Sequence, residues 1–257
     1  MRASYTLDRD ALAAYLAELL DIRRIKDYGP NGLQIEGRRE IKKLAVGVSS
    51  CVELFERAIA AQADAVLVHH GLFWDGLPRQ LTGFQFRRVA TLIRADVSLF
   101  AYHLPLDAHF TFGNNAVAAR DLGLVDLEPF AIYDGTAIGW HGRFPEAISS
   151  DELMRRCRSY YGQEPLAYLE GKESISTLGL VSGGGQKDIY NAIAGGLDAF
   201  LTGETTEWVM NIARESGLHY LACGHYATER IGVRALGAHL AEKFGIEVEF
   251  VDVPNSA

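Results

Sequence analysis

Seven side chains that can bind a metal ion or carry a proton stand at or just beyond the ends of predicted strands. They are His69, His70, His103, Asp107, Glu204, His225 and Glu229. Ligands of parallel α/β sheets bind beyond the carboxyl ends of the strands, so these positions favour one shared site. The remaining histidines are expected at the surface or in packing: His109, His141, His219 and His239.

The histidine pair in VLVHHG (66–71) has two interpretations. Adjacent strand residues point to opposite faces, which would place one ring in the core and the other in solvent. At a strand end followed by Gly71, however, the backbone can turn so that both rings face a pocket. In that arrangement each ring more naturally serves a different metal ion.

Two carboxylates follow histidines at a spacing of four residues. Glu229 follows His225 in a predicted helix, where this spacing puts both side chains on one face. Asp107 follows His103 on a predicted loop, where a helix cap or a solvated carboxylate is the alternative interpretation. Three imidazoles and two carboxylates form the N/O ligand set that Zn, Mn or Fe accepts. Five ligands exceed the needs of one tetrahedral ion and suit two ions bridged by a carboxylate, an arrangement that activates water.

Two other motifs carry weaker signals. The glycine run SGGG (182–185) resembles a phosphate-binding loop but lacks the lysine of a P-loop, which favours a tight turn. Cys223 stands two residues before His225, and a cysteine together with a histidine is a combination that nucleophilic catalysis can use. At the end of an apolar strand it is better explained as a small buried hydrophobic residue.

Short apolar runs alternate with amphipathic stretches along the chain. Strands are predicted at 44–48, 65–68, 97–101, 178–181, 199–202 and 219–223, and helices at 52–62, 84–95, 114–122, 187–195, 205–215 and 226–243. A first helix follows a cap at Asp8, whereas 27–37 is too rich in Gly, Pro and Asn for regular structure. Strands separated by helix-length segments predict an α/β fold with a mainly parallel sheet covered on both faces.

The second half of the chain repeats the first. The sequence DAVL (64–67) corresponds to DAFL (198–201), which sets His69 and His70 opposite Gly203 and Glu204. His103, Asp107 and Gly123 recur at the same spacings as His225, Glu229 and Gly245.

These repeats predict two related three-layer α/β lobes. The first lobe covers 1–126, and the second covers 177–257 and completes the metal site. A small inserted lobe at 127–176 connects them, with a strand-like segment at 137–144 and a helix near 151–160.

Composition narrows the class of protein. The 257 residues are 48% hydrophobic with a net charge of −8, which argues against nucleic acid or an anionic membrane as a partner. Three cysteines without a CxxC motif exclude a disulfide framework and indicate a reducing compartment. No apolar run reaches the roughly 20 residues of a membrane span, and the N-terminus lacks the apolar core of a signal peptide. We therefore expect a cytoplasmic globular protein.

A set of motifs spread over nearly the whole chain resembles the Nif-three-like dinuclear metal-centre family. The motifs are NGLQIEG (31–37), VHHGLFWDG (68–76), YHLPLDAHFTFGNN (102–115), FLTGETTEW (200–208) and CGHYATER (223–230). Bacterial members of this family are often labelled type 2 homologues of GTP cyclohydrolase 1. The resemblance implies two divalent cations per chain (Zn, Fe or Mn), a toroidal homohexamer and the metal ligands His69, His70, Asp107, His225 and Glu229. Glu229 is the best candidate to bridge the two ions.

Two functions remain open at this stage. The first is a metal-dependent hydrolase acting on a nucleotide-like or other small polar substrate. The second is a non-catalytic metal-binding hexamer that serves as a scaffold or binds a partner. His103 and Glu204 lie outside the implied ligand set, so they are candidate catalytic groups for proton transfer. The alternative is that each merely orients a ligand.

Overall fold

The computed structural model describes residues 5–257 and separates into two compact units. One unit comprises the described residues up to Leu106 together with Val233–Val253. The other comprises Asp107–Gly232 and Pro254–Ala257.

The strands and helices follow the apolar runs of the sequence. The strands are β1 (Leu7–Asp8), β2 (Gly32–Ile35), β3 (Glu40–Ile41), β4 (Lys43–Ser49), β5 (Ala65–His70), β6 (Ser98–Ala101), β7 (Val125–Tyr133), β8 (Thr136–Ser149), β9 (Leu166–Leu169), β10 (Ser174–Leu180), β11 (Ala199–Thr202), β12 (His219–Ala222) and β13 (Glu247–Phe250). The helices are α1 (Arg9–Leu19), α2 (Val52–Ala60), α3 (Gly83–Ala95), α4 (Leu104–Asp107), α5 (Asn114–Asp121), α6 (Ser150–Tyr161), α7 (Ile189–Ala194), α8 (Val209–Ser216) and α9 (His225–Phe244), with a 3₁₀ turn at Gln186–Asp188. The predicted cap of α1 is confirmed, since the Asp8 carboxylate accepts from the backbone N–H groups of Asp10 and Ala11.

The first unit is built on a five-stranded sheet in the order β13-β4-β5-β6-β2. Its strands are parallel except for β2, which runs antiparallel to β6 at the edge. The predicted irregular structure of 27–37 is therefore wrong for Gly32–Ile35. Pairing with β6 overrides the weak local propensity of this segment, with a register shift between Leu33 and Ile35.

The second unit is built on a six-stranded sheet in the order β7-β8-β10-β11-β12-β9. The central strands β10, β11 and β12 are parallel, while β8 and β9 join antiparallel. The structure thus differs from the predicted boundaries at 126 and 176, because most of the 127–176 segment belongs to this sheet.

The predicted internal repeat is visible in the topology of the two sheets. Three parallel strands followed by an antiparallel edge strand occur as β4-β5-β6-β2 and again as β10-β11-β12-β9. Asp64 accepts hydrogen bonds from two backbone N–H groups at the start of β4, and Asp198 does the same at β10. The predicted α/β class is confirmed, with a mainly parallel first sheet and a second sheet that mixes parallel and antiparallel pairs. Within the described residues, no helix is long and apolar enough to cross a membrane.

Candidate metal centre

Three histidines of the first unit meet where β5 and β6 end. His69 and His70 are the last residues of β5, and His103 follows β6. The ring centroid of His69 lies 4.8 Å from that of His70 and 4.9 Å from that of His103. Their ligand nitrogens all lie within 4.8 Å of one another. The rings of His69 and His70 lie beside each other, and each lies beside His103. This arrangement favours the interpretation in which both rings face one pocket.

Each of these rings is held through its Nδ1 atom. The Nδ1 of His69 lies 3.0 Å from the carbonyl oxygen of Tyr102, and that of His70 lies 2.9 Å from Oγ of Ser49. The Nδ1 of His103 lies 2.7 Å from the Asp27 carboxylate. Such contacts fix the tautomer and the orientation of a histidine and leave Nε2 as the nitrogen for a metal.

Asp27 is a site residue that the sequence did not indicate. Its side chain is 3% exposed, and it accepts hydrogen bonds from His103, from the backbone N–H of Leu104 and from the amide of Asn31. Burial opposes the charge, but the hydrogen bond and positive charge of His103 outweigh it and hold the pKa of Asp27 below its usual value. Asp27 is separated from His103 by 76 residues, so no local pattern connects them.

The segment around β2 is hydrogen-bonded to the loops that follow β5 and β6. Asn31 accepts from the backbone N–H of His103, and Gln34 accepts from the backbone N–H of Leu72. Gly71 packs against the Gln34 amide so closely that a Cβ would overlap it. The segment that we predicted to be irregular therefore fixes the loops that follow β5 and β6.

The second unit has donor side chains of its own at the start of α9. The Nδ1 of His225 lies 2.6 Å from Oε1 of Glu204, and its Nε2 lies 3.1 Å from Oε2 of Glu229. Glu229 is 3% exposed. Burial disfavours the charged imidazole, but Glu229 and then Glu204 outweigh it and raise the pKa of His225 to about 9.

The glycine run at 182–185 packs against these donors. Gly183 has a φ of +62°, and a Cβ there would overlap Oε1 of Glu229 and stand 3.0 Å from Nε2 of His225. Its N–H donates to Oγ1 of Thr228, and its carbonyl accepts from the N–H groups of Gly203 and Glu204. The tight turn that we predicted thus forms one wall of the donor group.

Asp107 is also buried in the second unit, with 5% of its surface exposed. Its Oδ1 accepts from the amide of Asn114 at 2.8 Å and from the hydroxyl of Ser182 at 3.2 Å. Asn114 in turn accepts from the backbone N–H of Gly232. Asp107 is therefore a buried carboxylate held in one orientation rather than a solvated loop residue.

The other histidines have ordinary structural roles. His219 is buried beside the carbonyl of Lys172, and His239 lies against Tyr15. The Nδ1 of His109 accepts hydrogen bonds from two backbone N–H groups of its own turn. The donor groups themselves consist of imidazole nitrogens and carboxylate oxygens, buried and oriented by neighbouring hydrogen bonds. This donor set fits Zn, Fe or Mn.

An α/β fold with oriented histidines and buried carboxylates at strand ends defines a class of candidate metal-binding proteins. The chain belongs to the Duf34/NIF3 (NGG1p interacting factor 3) family, whose model matches residues 7–256. It is similar to the "GTP cyclohydrolase 1 type 2 homolog" of Allochromatium vinosum, with 45% identity over 257 residues and complete coverage of both chains. The counterpart from Vibrio cholerae is 44% identical over 95% of this chain and 97% of its own.

Solved structures show the same fold. The protein ybgI, described as of unknown function, superposes with a TM-score of 0.93 at 38% identity and covers 98% of this chain and 100% of its own. A protein of Thermus thermophilus superposes with a TM-score of 0.89 at 39% identity, with the same coverage. The predicted family is confirmed.

Proposed function

We propose that this protein is a dinuclear-metal-dependent hydrolase that acts on a nucleotide-like or other small polar substrate. His69, His70, Asp107, His225 and Glu229 would hold two divalent ions, with Glu229 as the bridging ligand. Two such ions supply a water of lowered pKa and a positive charge that stabilises the reacting oxygen. The observation that carries the proposal is the fixing of the three ligand imidazoles, His69, His70 and His225, through Nδ1 by a carbonyl, a hydroxyl and a carboxylate. Metal-binding histidines are held in this way.

His103 is the residue to which we assign proton transfer. Asp27 fixes the ring of His103, because its buried carboxylate lies 2.7 Å from Nδ1. An imidazole with an orienting carboxylate can take a proton from the nucleophile and return it to the leaving group. Glu204 instead contacts His225 at 2.6 Å, which supports a role in orienting that ligand.

The hydrolase proposal is tested with purified, metal-loaded protein on a panel of nucleotides and phosphoesters, with ring opening of GTP first. We expect metal-dependent turnover that falls about 10²–10⁴-fold in His103→Asn while the metal content is kept. A fully metallated protein that turns over nothing and binds a macromolecule would instead support the non-catalytic scaffold. Loss of metal in His103→Asn would make His103 a ligand or the support of one.

We also propose that the chain assembles as a homohexamer. Helix α3 exposes Phe84, Phe86 and Ile93 with 50% or more of each residue accessible, and apolar surface of this kind supports a protein interface. Light scattering after gel filtration should give about 170 kDa, six times the 28.3 kDa chain. A stable monomer or dimer at micromolar concentration would contradict this assembly.

A further inference from the structure

Two consecutive asparagines begin helix α5, and both are buried. Asn114 is 0% exposed and Asn115 is 2% exposed. Asparagine is a poor helix former, and its amide is costly to bury because each donor and acceptor then needs a partner within the protein. The burial of these two residues is therefore explained by what their amides contact.

The amide of Asn114 joins Asp107 to helix α9. Its Nδ2 donates to Oδ1 of Asp107 at 2.8 Å, and its Oδ1 accepts from the backbone N–H of Gly232 at 2.6 Å. A backbone N–H can only donate, so the carbonyl end of the amide faces Gly232 and the NH₂ end faces the carboxylate. The two partners thus fix the orientation of Asn114, and Asp107 meets a donor.

Gly232 lies inside α9, where glycine is less favourable than alanine. A Cβ at this position would stand 2.9 Å from Oδ1 of Asn114, which is closer than carbon and oxygen atoms normally pack. The close approach explains the glycine, because it lets the backbone N–H of the helix reach the amide. Glu229 precedes Gly232 by less than one helical turn. The carboxylate of Asp107 is therefore tied to the turn of α9 that carries Glu229.

A second donor reaches the same oxygen of Asp107. The hydroxyl of Ser182 lies 3.2 Å from Oδ1 of Asp107, and the backbone N–H of Ser182 donates to Oδ1 of Asn115 at 2.6 Å. Asn115 in turn donates to the carbonyl oxygen of Ile138. A carboxylate oxygen has two lone pairs, so the two donors occupy Oδ1 of Asp107. Oδ2 is then the oxygen that can bind a metal ion.

We propose that Asn114 is a positioning residue that holds Asp107 for binding a divalent transition-metal ion through Oδ2 alone. Asn114 acts through the orientation of Asp107 and through its hydrogen bond to α9. A ligand that is already held in its binding orientation loses little entropy when the metal binds, which raises the affinity of the site. The inference rests on the proposed function, since it takes Asp107 as a metal ligand, but it concerns metal binding and does not depend on turnover.

The test is a titration of the metal-free protein with Co²⁺, followed by visible absorption. Asn114→Asp keeps the shape of the side chain and the acceptor for Gly232, but it replaces the donor that faces Asp107 by a carboxylate oxygen. We expect Co²⁺ to bind about 10- to 100-fold more weakly, as is usual when a group that orients a metal ligand is lost. The absorption bands of bound Co²⁺ should also shift, because they report the ligand geometry. A merely structural role would lower stability and leave the bands in place.

Gly232→Ala tests the same hydrogen bond from its other end without changing any charge. Alanine favours a helix more than glycine does, so the helix itself gives no reason for a loss of folding. The new methyl group should displace the amide of Asn114 and weaken Co²⁺ binding by a similar factor. Asn191→Asp is the matched control, because Asn191 also donates to an aspartate, Asp188, at 2.8 Å but is exposed on α7. This variant should bind Co²⁺ as the unmodified protein does.

Unchanged Co²⁺ affinity and unchanged bands in both Asn114→Asp and Gly232→Ala, together with loss of Co²⁺ in Asp107→Ala, would overturn the role of Asn114 and keep Asp107 as a ligand. Normal Co²⁺ binding in Asp107→Ala would overturn both assignments. Weaker binding with shifted bands in Asn114→Asp and Gly232→Ala would support the inference even if the metal-loaded protein hydrolyses no substrate. The positioning role and the hydrolase can therefore fail separately.

Discussion

Gly183 lies against the carboxylate of Glu229, and there is no room for a Cβ between them. The contact joins a loop residue after β10 to a buried side chain on α9. It requires glycine for two independent reasons, the close approach and the left-handed φ of +62°. The loop therefore sets the position of a carboxylate that we assign as the bridging ligand.

Replacing Gly183 by alanine should displace Glu229 and reduce the bound metal. We expect Gly183→Ala to lose most of its metal by elemental analysis and to melt at a lower temperature, because the new methyl group forces the loop away from α9. Gly184→Ala is the matched control, since a Cβ there would meet its nearest atoms at 3.7 and 3.8 Å, ordinary contact distances. A Gly183→Ala protein with full metal content would disprove the importance of this contact.

Substitution of individual ligands should lower the occupancy of the two metal sites to different extents. Glu229→Ala should reduce the occupancy of both ions, because it removes the bridge, whereas His69→Ala or His70→Ala should mainly reduce one. The chelated protein should stay folded by circular dichroism, because a chain of this size buries enough apolar surface without metal. If chelation unfolds the protein, the ions are structural and the hydrolase proposal loses its main support.

Asp27→Asn should lower turnover while the metal content stays unchanged. The amide keeps the shape of Asp27 but removes the charge that orients and polarises His103, for which we expect a roughly 10- to 100-fold loss in kcat. Adding Asp27→Asn to His103→Asn should cost little more, since the two residues act as one unit. The exposed Asp21→Asn serves as the control and should be fully active. Additive losses in the double variant would show that Asp27 acts independently of His103.

The stability of the metal-free protein should depend on His225. Its pKa in the folded chain is about 9, above the value of about 6.5 in an unfolded chain. Its contribution to the free energy of unfolding is therefore fully present below about pH 6.5 and is lost as the pH rises through about 9. Urea titrations of chelated protein at about pH 6 and about pH 9.5 should show this decline, and His225→Gln should flatten it. An equal decline in His225→Gln would assign the effect to other groups.

Sequence patterns predicted the parts of the structure that depend on neighbouring residues. The apolar run at 65–68 and the four-residue spacing of His225 and Glu229 each carry a local signal. The first lies within β5, and the second places both side chains on one face of α9. The contact between Asp27 and His103 and the strand β2 depend on residues far apart in the chain. The same is true of β8, whose Gly142 pairs with Leu178 and brings a predicted separate lobe into the second sheet. These features follow from tertiary pairing, which overrides local propensity.

The edge position of β2 has a consequence for how the site responds to heat. Edge strands of four residues with partly exposed side chains open at a lower free energy than the central strands of the same sheet. Asp27, Asn31 and Gln34 all belong to the segment that this strand anchors. Local fraying of β2 would release His103 while the rest of the first unit stays folded. Thermal inactivation is thus expected to precede global melting, and amide hydrogen exchange should be faster in β2 than in β5.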